Sequence, residues 1–143
     1  MAKDMWGKVA VWAFLIGVLI ALIVGLWQAY NLQNDETPIL YSENGAWVGW
    51  LLAFLGIIIG LLAILGRGTI TKSETPAFLM AGIALLVMNA VFNSMMGFGY
   101  GGVGLKPWLG PLLAGISLPL AIFIAPAVAI LAIKAIWDIG KSE

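Results

Sequence analysis

The charged residues of this chain lie at the ends of four long apolar stretches or in the segments between them. The stretches cover about residues 6–30, 46–65, 76–96 and 111–137. A helix of about 20 apolar residues crosses the ~30 Å hydrocarbon layer of a membrane. No Asp, Glu, Lys or Arg lies in the middle of any stretch, where a charge is costly and usually marks an ion path or a proton relay. The sequence therefore predicts an all-α integral membrane protein, one domain over residues 1–143 with four transmembrane helices in an antiparallel bundle.

The composition agrees with a membrane protein. Hydrophobic residues make up 62% of the 143 residues and charged residues only 10%, whereas soluble domains are about 45–50% apolar and about 25% charged. In water such a chain would expose more apolar surface than a small fold can bury. The formal net charge is zero, so there is no basic face for nucleic acid. The expected partner is the lipid bilayer.

The residue types that most enzymes and metal sites need are missing from the sequence. The chain has no His and no Cys, which removes thiolate nucleophiles, zinc sites and imidazole catalysis. Ser94 and Ser117 have no acid or Lys at their depth in the spans that could act as a base. We therefore expect no catalytic residues, no metal site, no cofactor and no enzymatic activity.

The first apolar run is interpreted as a membrane span and not as a signal peptide. Residues 9–27 form a run longer than the apolar region of a typical signal peptide, which is about 7–15 residues. No A-x-A cleavage pattern follows the run. We therefore expect the first helix to be retained.

The basic residues predict the orientation of the chain. Cytoplasmic loops of membrane proteins carry an excess of Lys and Arg. With four spans, six of the seven basic residues fall on one side, and only Lys106 falls on the other. The six are Lys3, Lys8, Arg67, Lys72, Lys134 and Lys141. Both termini are therefore expected in the cytoplasm, with the protein in the cell membrane.

Glycine and proline predict local features of two helices. Gly66 and Gly68 are placed to end the second span, since glycine readily adopts the left-handed conformation that closes a helix. Pro119 and Pro126 lie inside the fourth span. Proline removes a hydrogen bond from a helix and kinks it, so we expect the fourth helix to be bent or tilted.

Small residues recur on one face of the first span and on one face of the second. The set comprises Ala13, Gly17, Ala21, Gly25 and Ala29 on the first span and Gly49, Ala53, Gly56 and Gly60 on the second. In a membrane, small residues let helix backbones approach closely and so drive association. The faces can pack within one bundle or between subunits. Because they exceed what one bundle plausibly uses, we expect a homo-oligomer, alone or in a larger membrane complex.

A polar cluster marks the third span and the loop after it. Asn89 and Asn93 are four residues apart, and so share a helix face; Ser94 follows them. They can form hydrogen bonds between helices, or line a pore or vestibule together with Tyr100. The segment 98–101, F-G-Y-G, is similar to the V-G-Y-G core of potassium-channel filters. It lacks the Thr of that motif, and the third span leaves no room for a separate pore helix, so we expect a glycine-rich loop.

Two functions are consistent with this sequence. The first is a structural one, in which a small membrane protein self-associates and organises membrane or supports a larger assembly. The alternative is a passive channel between subunits, lined by the polar face of the third helix and the glycine-rich loop. Both operate without ionisable groups in the spans, unlike a proton-coupled or ion-coupled transporter.

Overall fold

A computed structural model describes residues 2–34, 40, 42–66, 70, 72–99 and 109–142. These residues form four helices and contain no strand. The helices are α1 (Ala2–Gln33), α2 (Ala46–Ile64), α3 (Thr75–Gly99) and α4 (Leu109–Lys141). Each is long and apolar enough to cross a membrane. The predicted all-α class with four candidate membrane spans is therefore confirmed.

Three of the helices extend beyond the predicted spans. α1 begins before residue 6 and ends after residue 30, α4 runs four residues past 137, and α3 continues to Gly99. Hydropathy marks the part of a helix that lies in hydrocarbon, whereas backbone hydrogen bonds carry the helix further. In the last turn of α4, the Lys141 ammonium also lies 5.9 Å from the Trp137 ring centre, a favourable contact for an i, i+4 pair.

The end of α2 follows the predicted glycine mechanism. Gly66 has φ +68°, and its N–H donates to the carbonyl of Ala63 at 3.1 Å. The N–H of Leu65 donates to Leu61 at the same distance. These bonds satisfy carbonyls that would otherwise lack a partner at the helix end. The predicted Gly68 lies outside the described residues.

The bundle is organised around α4. α4 packs against α1, α2 and α3, and α1 also packs against α2. Within the described part of the chain, α3 packs against α4 alone. In the most apolar segment of α4, 50% of the residues are buried. In the corresponding segment of α3, only 6% of the residues are buried. α4 is thus the core of the bundle, and α3 lies at its edge.

Both prolines lie inside α4, which is assigned as one helix from Leu109 to Lys141. Pro119 is fully buried and Pro126 is partly buried. Each proline lacks the N–H that would bond to the carbonyl four residues earlier. The bend expected at these positions stays a prediction.

Candidate functional site along the central helix

Two of the three glycines of α1, Gly17 and Gly25, face α4. A methyl group built on Gly17 would overlap the ring of Phe123, which is itself 1% exposed. A methyl group on Gly25 would lie 2.8 Å from the Cα of Ile116 and 3.1 Å from the carbonyl oxygen of Gly115. Separations this short leave no room for a side chain. α1 therefore approaches α4 through its glycines.

The alanines of α1 extend the same contact. Ala21 and Ala29 are buried, and Ala13 is partly buried. A methyl group on Gly115 of α4 would lie 2.6 Å from the backbone nitrogen of Ala29. Of the two predicted uses of this α1 face, the contacts favour packing within the chain. A role for it between subunits stays a prediction.

Two of the three glycines of α2 also contact α4. A methyl group on Gly56 would overlap the carbonyl oxygen of Phe123, and one on Gly60 would lie 3.0 Å from the Cα of Ala127. Gly49 is different, because its nearest neighbour, Leu40 Cδ2, is at an ordinary 3.7 Å. Ala53 is partly buried. The α2 face is therefore closely packed in its second half and loosely packed near its start.

Two glycine contacts were not predicted from the sequence. A methyl group on Gly82 of α3 would overlap the side chain of Val128, and Gly115 receives Ala29 of α1. Each is a single glycine in an apolar helix, without a repeat to distinguish it. An isolated glycine inside a helix costs about 1 kcal/mol relative to alanine, and that cost was the available signal of a close contact.

The polar cluster of α3 is directed at least partly towards α4. The buried Ser117 hydroxyl lies 3.1 Å from the carbonyl oxygen of Ala114 and 3.4 Å from Asn89 Oδ1. It is the donor in both contacts and has one hydrogen, so the two acceptors share it. Asn93 and Ser94 lie within α3, but their side chains fall outside the described residues, as does Tyr100 entirely. The contact between Asn89 and Ser117 joins the peripheral helix to the core helix.

The expected glycine-rich loop begins later than the sequence indicates. Residues 97–99, placed in that loop by the sequence analysis, belong to α3. The first two residues of the F-G-Y-G segment are therefore helical. A potassium-channel filter presents rows of backbone carbonyls to the ion, and the other two residues of the segment, Tyr100 and Gly101, lie outside the described residues.

One buried polar side chain was missed by the sequence analysis. Gln28 of α1 is 1% exposed, and its Oε1 has no hydrogen-bond partner among the described residues. It lies between Gly25 and Ala29, both of which contact α4. An unpaired polar group in this position costs about 1–3 kcal/mol. Gln28 lies near the end of the first predicted span, where sequence position alone does not distinguish a buried side chain from one at the membrane surface.

No three His, Cys, Asp or Glu side chains in the described ranges come together as metal ligands would. Comparisons of the chain with protein-family models, with curated proteins and with solved structures gave no match. The contacts around α4 and the exposed surface of α3 therefore carry the functional interpretation.

Proposed function

We propose that this protein is a non-enzymatic membrane protein that self-associates through α3 and has a structural, membrane-organising role. The subunits form a homo-oligomer, alone or as the scaffold of a larger membrane complex. In this proposal α4 holds each subunit together and α3 joins one subunit to the next.

The observation that carries the proposal is the contrast between the glycine faces and α3. Gly17, Gly25, Gly56 and Gly60 lie in close contact with α4 of the same chain, so these glycines already have a packing partner within the subunit. α3 touches only α4 within the described residues. The side of α3 that faces away from α4 has exposed residues from Pro76 to Val91.

The open surface of α3 has the character of a helix-packing face. Ala77, Ala81 and Ala84 are all exposed, and their spacing of four and three residues places them on one side of the helix. That spacing is the 3.5-residue period of a left-handed helix pair. Lipid tails are as apolar as these side chains, so close backbone packing and not hydrophobicity favours association here. A second copy of α3 would fit this face.

We also propose that the helices alternate in direction and that both termini are cytoplasmic. Lys72, between α2 and α3, and Lys134, near the end of α4, line one cavity. This supports assigning the α2–α3 link and the end of α4 to the same side of the membrane. An excess of basic residues marks the cytoplasmic side.

The alternative of a channel between subunits has less support. Asn89, one of its candidate lining residues, contacts Ser117 of the same chain. A role in a pore would require Asn89 to exchange this partner for water. The structural function requires no such change.

The experiment that tests the proposal compares the mass and permeability of three proteins. The double variant A81L/A84L adds bulk to the proposed interface, and we expect it to be monomeric in mild detergent while the wild type is oligomeric. Ala90→Leu is the matched control, because Ala90 is exposed and lies nine residues, or about 180°, from Ala81 around the helix. It should keep the wild-type mass.

The same samples distinguish the structural function from the channel. Reconstituted wild-type protein should leave liposomes sealed to ions and small solutes. A monomeric wild type, or equal disruption by Ala90→Leu, would contradict the proposed interface. Solute flux that disappears in Asn89→Leu would instead establish the channel.

A further inference from the structure

A cavity of about 480 Å³ lies where α2 ends and α3 begins, against the last third of α4. Its size is within the ~300–1,000 Å³ range of small-molecule sites. Its lining combines two kinds of side chain. Ile64, Ile70 and Leu131 are among the apolar residues, and Lys72, Lys134 and Asp138 carry charge.

The ends of the candidate membrane spans assign the cavity to the boundary between hydrocarbon and water. Ile64 is the last residue of the second candidate span, and Thr75, another lining residue, is the first residue of the third. The Lys134 ammonium donates a hydrogen bond to the carbonyl oxygen of Ile64 at 3.2 Å, which places Lys134 beside the end of α2. Lipid headgroups occupy this depth, directly outside the ~30 Å hydrocarbon layer.

The charges in the cavity suit a phosphate diester. An ammonium has three N–H donors, and the bond to Ile64 uses one of those on Lys134, so two have no acceptor among the residues that the structure describes. Lys72 is exposed and adds a second positive charge. The negative charge of Asp138, four residues after Lys134, offsets one of these two positive charges. The lining residues that the structure describes therefore carry a net charge of plus one, which complements a headgroup with a single negative charge.

The apolar side of the cavity suits the rest of a lipid. Ile70 and Leu131 are buried, and Ile64 is partly buried. Together they give the wall of the cavity beside the lysines an apolar character, which suits the glycerol backbone and the first carbons of an acyl chain.

We propose that this cavity binds the headgroup and glycerol backbone of a phospholipid with one net negative charge, such as phosphatidylglycerol. The binding site goes beyond the structural function proposed above and does not depend on self-association. α2 and α3 do not pack against each other in the described part of the chain, so a lipid held between them would bridge the two helices. Basic pockets between transmembrane helices are known to hold anionic headgroups in this way.

The test measures lipid binding to the full chain in a non-ionic detergent by native mass spectrometry. Dioctanoyl phosphatidylglycerol is titrated against the wild type, K72Q/K134Q and K8Q/K141Q. The last variant is the control, since it removes the same charge from two exposed lysines that do not line the cavity. We expect binding about 30-fold weaker in K72Q/K134Q and unchanged in the control.

Two further probes identify what the cavity recognises. Dioctanoyl phosphatidylcholine has no net charge, and glycerol 3-phosphate has no acyl chain. Both should bind the wild type much more weakly than phosphatidylglycerol. Equal binding of phosphatidylcholine would overturn the charge preference. Equal binding of glycerol 3-phosphate would show a site for soluble phosphates, and equal loss in the two double variants would show non-specific attraction. Any of these results contradicts the proposal.

Single variants distinguish a loss of lipid binding from a loss of folding in K72Q/K134Q. Lys134→Gln alters the bond to Ile64, so Lys134→Arg, which keeps the charge, should restore binding of phosphatidylglycerol to near the wild-type level. Lys72→Gln changes only an exposed side chain and should weaken binding about fivefold. Unchanged affinity in Lys72→Gln together with failure of Lys134→Arg to restore binding would also overturn the proposal.

Discussion

The carbonyl oxygen of Phe123 fills the space in which Gly56 has no side chain. Pro126 follows Phe123 by three residues, and its Cδ is 3.4 Å from the same space. A proline ring crowds the helical turn that precedes it, most of all the carbonyl four residues earlier, and the Phe123 carbonyl in that turn has room beside Gly56. A similar pair occurs on α1, where Gly25 faces the carbonyl of Gly115, four residues before Pro119. Each proline of α4 is thus matched by a glycine on a neighbouring helix.

This relationship predicts the effect of adding a methyl group to Gly56. Gly56→Ala should lower the free energy of unfolding by about 1–3 kcal/mol, the usual cost of overpacking, because a backbone carbonyl cannot rotate away. Gly49→Ala on the same helix is the control. Its new methyl group would meet only Leu40 Cδ2 at 3.7 Å, and alanine favours the helix by about 0.5–1 kcal/mol.

Thermal or denaturant unfolding in detergent measures both variants. The expected order of stability is Gly49→Ala at or above the wild type, and Gly56→Ala below it. Equal stability of the two variants would mean that α2 and α4 are further apart than the structure has them.

Gln28 gives a prediction of the opposite sign. Its Oε1 has no partner in the described part of the structure, so replacing it with an apolar side chain of similar size removes an unpaired buried group. Gln28→Leu should therefore keep or raise the melting temperature. Ser117→Ala, by contrast, removes the hydroxyl that contacts Asn89 and Ala114, and should lower it. A marked loss of stability in Gln28→Leu would reveal a hydrogen-bond partner for Oε1 in the folded protein.

The orientation of the helices can be tested by labelling, because the chain contains no cysteine. Single cysteines at Asn44 and Ser73, in the first and second links, occupy exposed positions. With four alternating spans they should react with a membrane-impermeant maleimide from opposite sides, Ser73→Cys only after the cytoplasmic side is opened. Labelling of both positions from one side would break the proposed topology.

The four helices could be predicted from the sequence because lipid imposes one requirement, a long apolar run, that can be read locally. The central position of α4 could not be predicted in this way. The most apolar window of α1 has a higher mean hydropathy than that of α4, 2.9 against 2.5, yet 28% of the α1 window is buried and 50% of the α4 window is buried. In a membrane, apolar side chains are equally stable against lipid and against protein, so hydropathy does not rank helices by burial.

The residue that each small residue contacts could not be predicted from the sequence either. Gly17 meets Phe123, which is more than 100 positions away in the sequence, and the spacing of small residues shows only that some helix approaches. The regular spacing of small residues on α1 and α2 predicted that these faces pack closely. Gly82 and Gly115 make equally close contacts but belong to no such repeat, so the sequence did not indicate them. Asn89 was recognised as polar, but its contact with Ser117 depends on how α3 lies on α4.

Two copies of α3 are proposed to meet through the face formed by Ala77, Ala81 and Ala84, and disulfide cross-linking in native membranes tests this contact directly. The variants are Ala81→Cys, Ala84→Cys and the control Ala90→Cys, and a disulfide requires Cβ atoms about 3.5–4.5 Å apart. Under mild oxidation, Ala81→Cys or Ala84→Cys should give a covalent dimer in high yield, and Ala90→Cys should stay monomeric. No dimer from either position, or an equal yield from Ala90→Cys, would contradict the account.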